Sequence, residues 1–213
     1  MILEEQLQVL NNYIVQFIQY MKDNNRFIVY DLETNGFVAN PMPSVLSISA
    51  ELCKVNPNKT ISVIDTYNRF YYCKEEYNPK ATKVNGLIDD EINKRRIEIC
   101  GSFDDYTDYF LDDIASFKTF CGNTSVFLGF NNTGFDNIFL EDYMIFPHSL
   151  DIMVVQAALE NGKYRKLKEV APDYDVITDE AELHQSSYDV YLTKSIFSSM
   201  LSMSTVRMIE LKE

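Results

Sequence analysis

The sequence predicts one α/β domain preceded by an N-terminal amphipathic helix, and three observations carry that expectation. The apolar run Phe27-Ile28-Val29-Tyr30 ends abruptly at Asp31-Leu32-Glu33-Thr34-Asn35-Gly36-Phe37, the pattern of a buried strand that stops at a turn. Two more stretches of alternating or β-branched and aromatic residues follow at short intervals, as in an antiparallel meander. Beyond about residue 79 the apolar residues recur at helical spacing instead. The 213 residues suffice for one full core, and no shift of composition divides them. The expected division is residues 1–25 as a helical extension and residues 26–213 as the domain.

Residues 2–22 place Leu3, Leu7, Leu10, Ile14, Phe17 and Met21 at alternating spacings of four and three, the apolar stripe of an amphipathic helix. Such a stripe packs on its own domain, on a second copy or on a partner such as a polymerase, and self-packing is the preferred reading. Gln6-Leu7-Gln8-Val9-Leu10 also resembles the short peptide by which bacterial replication proteins grip the sliding clamp, but it coincides with the stripe, so coincidence is preferred.

Pro41 and Pro43 bracket a loop, Ser44–Lys54 reads as a second strand, Asn56-Pro57-Asn58 as a turn and Thr60–Cys73 as a third strand. Val84-Asn85-Gly86-Leu87 predicts a turn, Asp89–Arg96 a short helix, and Ser102–Phe117 a longer one capped by Ser102. Val126–Phe130 is a short apolar strand followed by a helix over Phe135–Phe146. Asp136 then falls in the first helical turn, where the helix dipole favours an ionised carboxylate. Ser149-Leu150-Asp151 opens a further segment, Lys163–Lys168 is the most basic stretch, and a last helix spans about Glu180–Met203 with His184 and Asp189 on it.

The net charge of −13 argues against a long nucleic-acid footprint, which needs a basic stripe, but permits binding at a strand end through a few cations and bound metal. The Lys163–Lys168 stretch is open to two readings of equal weight, a solvated turn or a contact to a phosphate backbone. No long apolar run and no signal-peptide pattern is present, which suggests a cytoplasmic protein. Cys53, Cys73, Cys100 and Cys121 lack the spacing of a zinc site or disulfide framework. His148, beside Pro147, carries no assigned role.

Asp31 and Glu33 stand two residues apart in a strand, so they project from the same face and repel each other unless a cation or proton intervenes. Asp136 and Asp189 are the other acidic positions placed at element starts or in a late helix. Four hard oxygen ligands suit magnesium or manganese rather than zinc, and such a set can hold the two ions of a phosphoryl-transfer site. His184, five residues before Asp189, is suited to act as a general base beside them.

The local strings sharpen this. Asp31-Leu32-Glu33-Thr34-Asn35-Gly36, Asn132-Thr133-Gly134-Phe135-Asp136 and His184-Gln185-Ser186-Ser187-Tyr188-Asp189 resemble, in order, the three motifs of the DEDDh (DnaQ-like) 3′–5′ exonucleases, the family of the proofreading epsilon subunit of bacterial DNA polymerase III. Val84-Asn85-Gly86-Leu87 is similar to that family's Val-His-Gly-Ile element, and the resemblance covers about residues 26–204. It implies an RNase H-like fold, a mixed five-stranded sheet flanked by helices. It further implies that Asp31, Glu33, Asp136 and Asp189 hold two Mg2+ ions, for which Mn2+ can substitute, and that His184 activates the attacking water. Thr34 and Phe37 match positions that touch the 3′-terminal nucleotide, and Asn132 one that supports the substrate. Asp151 falls where the family often has another acid, with its role open. Asn131, Asn85 and Ser186 depart from the family's histidine, histidine and alanine. The tyrosine-dependent subgroup fits less well, because the position of its tyrosine is Gln185 here. The expected activity is release of nucleoside monophosphates from the 3′ end of single-stranded DNA or RNA, in proofreading or another pathway. The alternative is a non-catalytic or accessory nucleic-acid-binding subunit of a polymerase or processing complex.

Overall fold

The computed structural model describes residues 3–21, 25–39, 41–101 and 106–207. In chain order these form α1 (Glu4–Tyr20), β1 (Arg26–Thr34), β2 (Val45–Val55), β3 (Ile61–Phe70), α2 (Pro79–Asn85), α3 (Asp89–Cys100), α4 (Phe110–Cys121), β4 (Val126–Gly129), α5 (Asp136–Leu140), β5 (His148–Asp151), α6 (Ile152–Leu159), α7 (Leu167–Val170), a 3-10 turn at Ala171–Tyr174, and α8 (Ser186–Met203). The five strands make one sheet in the order β3-β2-β1-β4-β5. β1, β2 and β3 pair antiparallel, while β4 and β5 run parallel to β1.

β1 is the central strand, and alternation of its side chains builds both layers of the core. Phe27 and Val29 face α1, α6 and α8, whereas Ile28, Tyr30 and Leu32 face α4 and α5. Asp31 and Glu33 share the parity of Phe27 and Val29, so the strand delivers both to the side of the sheet on which α8 lies.

The N-terminal stripe belongs to this core. Leu10, Ile14, Phe17 and Met21 are buried, and burial of such side chains is worth roughly 2 kcal/mol apiece. Phe17 meets Phe27 and Phe197 edge-on at centroid distances of 5.2 and 4.6 Å. Gln6 Nε2 donates to the Leu159 carbonyl at 2.8 Å, and Asn11 exchanges two hydrogen bonds with Thr205. From Leu10 onward the stripe is thus covered by the chain's own α6 and α8, whereas Leu3 is exposed and Leu7 half-buried. The clamp-like pentapeptide is helical here, with Leu10 turned into the core.

Three helices differ from the sequence expectation. The helix expected from Ser102 starts instead at Phe110, and Ser102 itself lies outside the described residues. Fully buried Arg96 donates to the carbonyls of Phe70 (2.9 Å), Thr107 (3.1 Å) and Tyr106 (2.7 Å), so two carbonyls of the expected first turns serve a guanidinium rather than a helix. α5 stops at Leu140 rather than Phe146. Pro147 disfavours a helical residue before it, and Phe146 packs on Tyr30 and Phe127 instead. α8 begins at Ser186, not near Glu180. His184 has φ of 63°, a left-handed conformation that no continuing helix allows, and Asp179 N donates to Tyr188 Oη at 2.7 Å to tie the preceding turns to α8. None of the described helices is long and apolar enough to cross a membrane.

Candidate active site

The carboxylates meet where β1 ends. Glu33, His184 and Asp189 each offer a ligand atom, and these atoms lie within 4.8 Å of one another. Asp189 sits in the first turn of α8 and accepts the backbone N–H of His184, a bond that couples the position of the imidazole to that of the carboxylate. Its Oδ1 is buried and without a hydrogen-bond partner among the described residues. Asp136 approaches from α5. β4 pairs with β1 only at Ile28 and Val29 and ends at Gly129, so the N–H of Leu32 finds no strand there and donates to Asp136 Oδ1 at 2.9 Å.

Burial and mutual repulsion raise the proton affinity of all four acids. Asp31 is pushed well above the usual carboxylate range by desolvation, then by Asp136, Asp189 and Glu33. Glu33 is raised by desolvation and Asp189 against a hydrogen bond from Asn85. Asp189 is pushed up to about 7, chiefly by burial. Asp136 also rises to about 7, again chiefly by burial, even though the Leu32 N–H favours its charged form. The helix dipole that the sequence invokes for Asp136 is overridden, because α5 has only five residues and its N-terminus is buried. Acids that resist ionisation for want of countercharge, with a buried oxygen left unpartnered, fit a site for divalent cations. His184 moves the other way, lowered by burial and then by Lys168 and Lys166, so its imidazole is neutral at neutral pH.

A turn behind the site places Asp136. Asn131 is left-handed, with φ of 63°, and the chain folds back so tightly that a Cβ at Gly129 would lie 2.5 Å from that of Asn132. Asp151 holds this turn, accepting from Asn131 N (2.8 Å), Thr133 N (3.2 Å), Thr133 Oγ1 (2.6 Å) and Met153 N (3.0 Å). Its four acceptor contacts are thus filled by the turn and by the start of α6, which answers the role left open in the sequence. Asp151→Ala is expected to lower stability by about 2 kcal/mol or more and to reduce turnover, since it strands those donors. Thermal melting and a rate assay on the same preparation check both. Asn132 is fully buried, donating to Tyr30 Oη (3.3 Å) and Ser149 Oγ (3.0 Å), and it presents no surface to a substrate. Its place is in the scaffold behind Asp136.

The family model for RNase T-type exonucleases matches residues 28–197, from the first strand into α8. The chain belongs to the RNase T exonuclease family. It is a 3′–5′ exonuclease of the DEDDh type, with the RNase H-like fold. Exonuclease X in complex with 5′ overhanging duplex DNA superposes with a TM-score of 0.58 at 14% identity, over 87% of this chain and 98% of its own. The zinc-bound complex of E. coli exonuclease I with single-stranded DNA gives 0.60 at 14%, and exonuclease I with a dA16 oligonucleotide gives 0.57 at 15%. Each of these two superpositions covers 84% of this chain and 41% of exonuclease I, so the chain spans about two fifths of that protein. At such identities the likeness is one of fold. No curated protein sequence matches the chain.

Two cavities of the exonuclease flank Glu33. One, of about 250 Å3, lies between Thr34, Phe37, Phe135 and the α2 residues Lys80, Ala81 and Val84. Phe37 is 83% exposed and stands edge-on to Phe135 at 6.5 Å, an apolar wall offered to a planar ligand. Thr34 is buried and its hydroxyl is spent on the Gly36 carbonyl at 2.6 Å, so its side chain shapes the turn. Asn35 and Glu75 fix the loop from behind: Asn35 accepts from Asn78 N at 2.7 Å, and Glu75 accepts from Asn35 and Ser44. The other cavity, of about 380 Å3, runs past Ser47, Lys83, Leu183 and His184.

Asn85 lines both cavities. It ends α2 before left-handed Gly86, and its Nδ2 reaches the Thr34 carbonyl at 3.1 Å while bonding Glu33. The sequence marks it only as a departure from a family histidine. Ser186 is a second such position: its hydroxyl meets those of Ser47 (2.9 Å) and Ser49 (2.8 Å), pinning the start of α8 to β2. A small polar residue opposite the alternating serines of β2 is the sequence signal for that contact.

Proposed function

We propose that the enzyme removes nucleoside monophosphates stepwise from the 3′ end of a single strand, with DNA as the first substrate to test and RNA as the second. The observation that carries this reading is the junction itself. Glu33, whose carboxylate lies within ligand distance of His184 and Asp189, lines both a cavity of about 250 Å3 walled by the exposed Phe37 ring and the neighbouring cavity that His184 lines. The DNA bound in the complexes of exonuclease X and exonuclease I supports DNA over RNA.

In this reading Asp31, Glu33, Asp136 and Asp189 hold two divalent cations, magnesium or manganese. Bound there, such ions neutralise the charge that develops on the phosphate and on the departing oxygen. Phe37, with Phe135 behind it, packs on the terminal base, and the turn from Thr34 to Gly36 seats the sugar. His184 accepts the proton of the water that attacks phosphorus, and the bond to the 3′ oxygen of the preceding nucleotide breaks. The imidazole is exposed on the cavity side, so the proton passes on to solvent between turnovers.

A panel of matched single-stranded DNA, mismatched duplex DNA and RNA, each 5′-labelled and incubated with magnesium or manganese, tests the proposal. Progressive shortening of the single-stranded DNA is the expected result. Binding without any change of length would establish a non-catalytic module instead.

A further inference from the structure

The two cavities beside Glu33 share Glu33 itself, Val84 and Asn85 in their walls, so they meet at a common border. Ligand atoms of Glu33, His184 and Asp189 lie within 4.8 Å of one another there, and in the exonuclease reading the scissile phosphate sits beside them. A strand whose terminal base packs on Phe37 in the first cavity then has its next nucleotide in the second, on the His184 side. α2 supplies a lysine to each: Lys80 lines the first cavity, and Lys83, one turn on, lines the second together with Glu33 and His184. The cationic side chains in the wall of the second cavity are Lys83 and Arg95, and they are not equivalent. Arg95 Nε bonds Glu91 Oε1 at 2.7 Å, and its Nη1 lies 3.8 Å from Glu98 Oε2. Lys83 is exposed, and among the described residues its ammonium group has neither an ion pair nor a hydrogen bond. The basic stretch 163–168 lines neither cavity, and its Arg165 is held by Glu160 and Asp173.

We propose that Lys83 binds the phosphate of the second linkage from the 3′ end, one nucleotide upstream of the bond that breaks, and so holds the strand across the His184 side of the site. This rests on the exonuclease reading and adds to it the residue that retains the strand. A chain of net charge −13 repels a polyanion at long range, and affinity for a strand must then come from close cations. An ammonium group that shares a cavity with Glu33 and His184 and is opposed by no carboxylate meets that need, whereas Arg95, paired on two sides, does not. A phosphodiester is the ligand chemistry that fits, because an ammonium acts on phosphate as a point charge and needs no fixed fork geometry. A lysine in the last turn of α2 also complements the helix dipole, but that role shows in melting temperature and not in strand binding.

The test compares the full-length protein with K83A and K83Q, which remove the charge, and K83R, which keeps it. The probes are 5′-labelled dT10 and the same strand with one linkage at a time, counted from the 3′ end, replaced by an uncharged methylphosphonate. Fluorescence anisotropy, with calcium in place of magnesium to slow hydrolysis, measures binding across a range of salt concentrations, and steady-state kinetics with magnesium are run alongside. Thermal melting shows whether each variant is folded. Each phosphate contact on a single strand contributes about 0.7 to the slope of log affinity against log salt, so K83A and K83Q are expected to lose about that much from the slope. Affinity at low salt should fall about fivefold, the upper end for an exposed ion pair. The kinetic loss should fall mainly on KM, and K83R should retain most of the affinity. In the wild type, a methylphosphonate at the second linkage should weaken binding to the same degree, and in K83A and K83Q it should cause no further loss, as for two groups in direct contact. Losses that simply add in the folded variants, or coupling confined to another linkage, would overturn the assignment. Absence of hydrolysis by the wild type, with the coupling at the second linkage intact, would overturn the exonuclease reading and leave the phosphate contact standing.

Discussion

Replacing His184 by alanine is expected to lower kcat by about 10²- to 10⁴-fold, the usual contribution of a positioned general base. The fold should survive, because the imidazole is only partly buried and its link to Asp189 runs through its backbone N–H, which alanine keeps. The pH profile discriminates this role from a structural one. Burial, Lys168 and Lys166 hold the imidazole below its ordinary value, so the wild-type rate should fall on the acid side only below about 6.5, where His184 takes up a proton. The alanine variant should lack that inflection and recover part of its loss as hydroxide becomes available at high pH. A variant with a near-normal rate would remove His184 from the mechanism.

The second large effect is on stability. Asp136 and Asp189 rise from the usual 3.8 to about 7, so between those limits the folded protein binds more protons than the unfolded chain. The slope of unfolding free energy with pH is then negative, and the metal-free protein should lose stability as pH climbs through this window and level off above about 8. A divalent cation bound by these acids, as proposed, would replace the missing countercharge, so its stabilising effect should grow over the same range. Thermal melting at pH 5.5 and pH 8, with EDTA and with each ion, gives the comparison. Asp189→Asn removes one repelling charge, and it should melt higher than wild type in EDTA at pH 8 while being inactive. A wild-type melting temperature that is insensitive to both pH and metal would contradict the clustering of the acids.

Much of this was legible in the chain because the signals are local. Alternation along β1 already assigns Asp31 and Glu33 to one face, and an apolar strand followed by Asn132–Asp136 marks the second approach to the site. What escaped was decided by side chains distant in sequence. The start of α4 moved because Arg96 takes the carbonyls of Tyr106 and Thr107, a choice no helical period reveals. The proton affinity of Asp136 is set by burial, a global property, which outweighs the backbone N–H groups that favour its charged form. Asp151, Asn85 and Ser186 act through contacts to residues 18 to 139 positions away, so their types hint at polarity but not at partners. Lys163–Lys168 is the most basic stretch of the sequence, yet its Arg165 is taken by Glu160 and Asp173, and the lysine that shares a cavity with Glu33 and His184 is Lys83.

The most direct test of the account uses single-stranded DNA labelled at its 3′ end. With magnesium, wild-type protein should release the label at once as a nucleoside monophosphate, with no release in EDTA or by Asp31→Asn. Release of labelled oligonucleotides by internal cleavage, or release that persists in Asp31→Asn, would contradict a cation-dependent exonuclease centre built on β1.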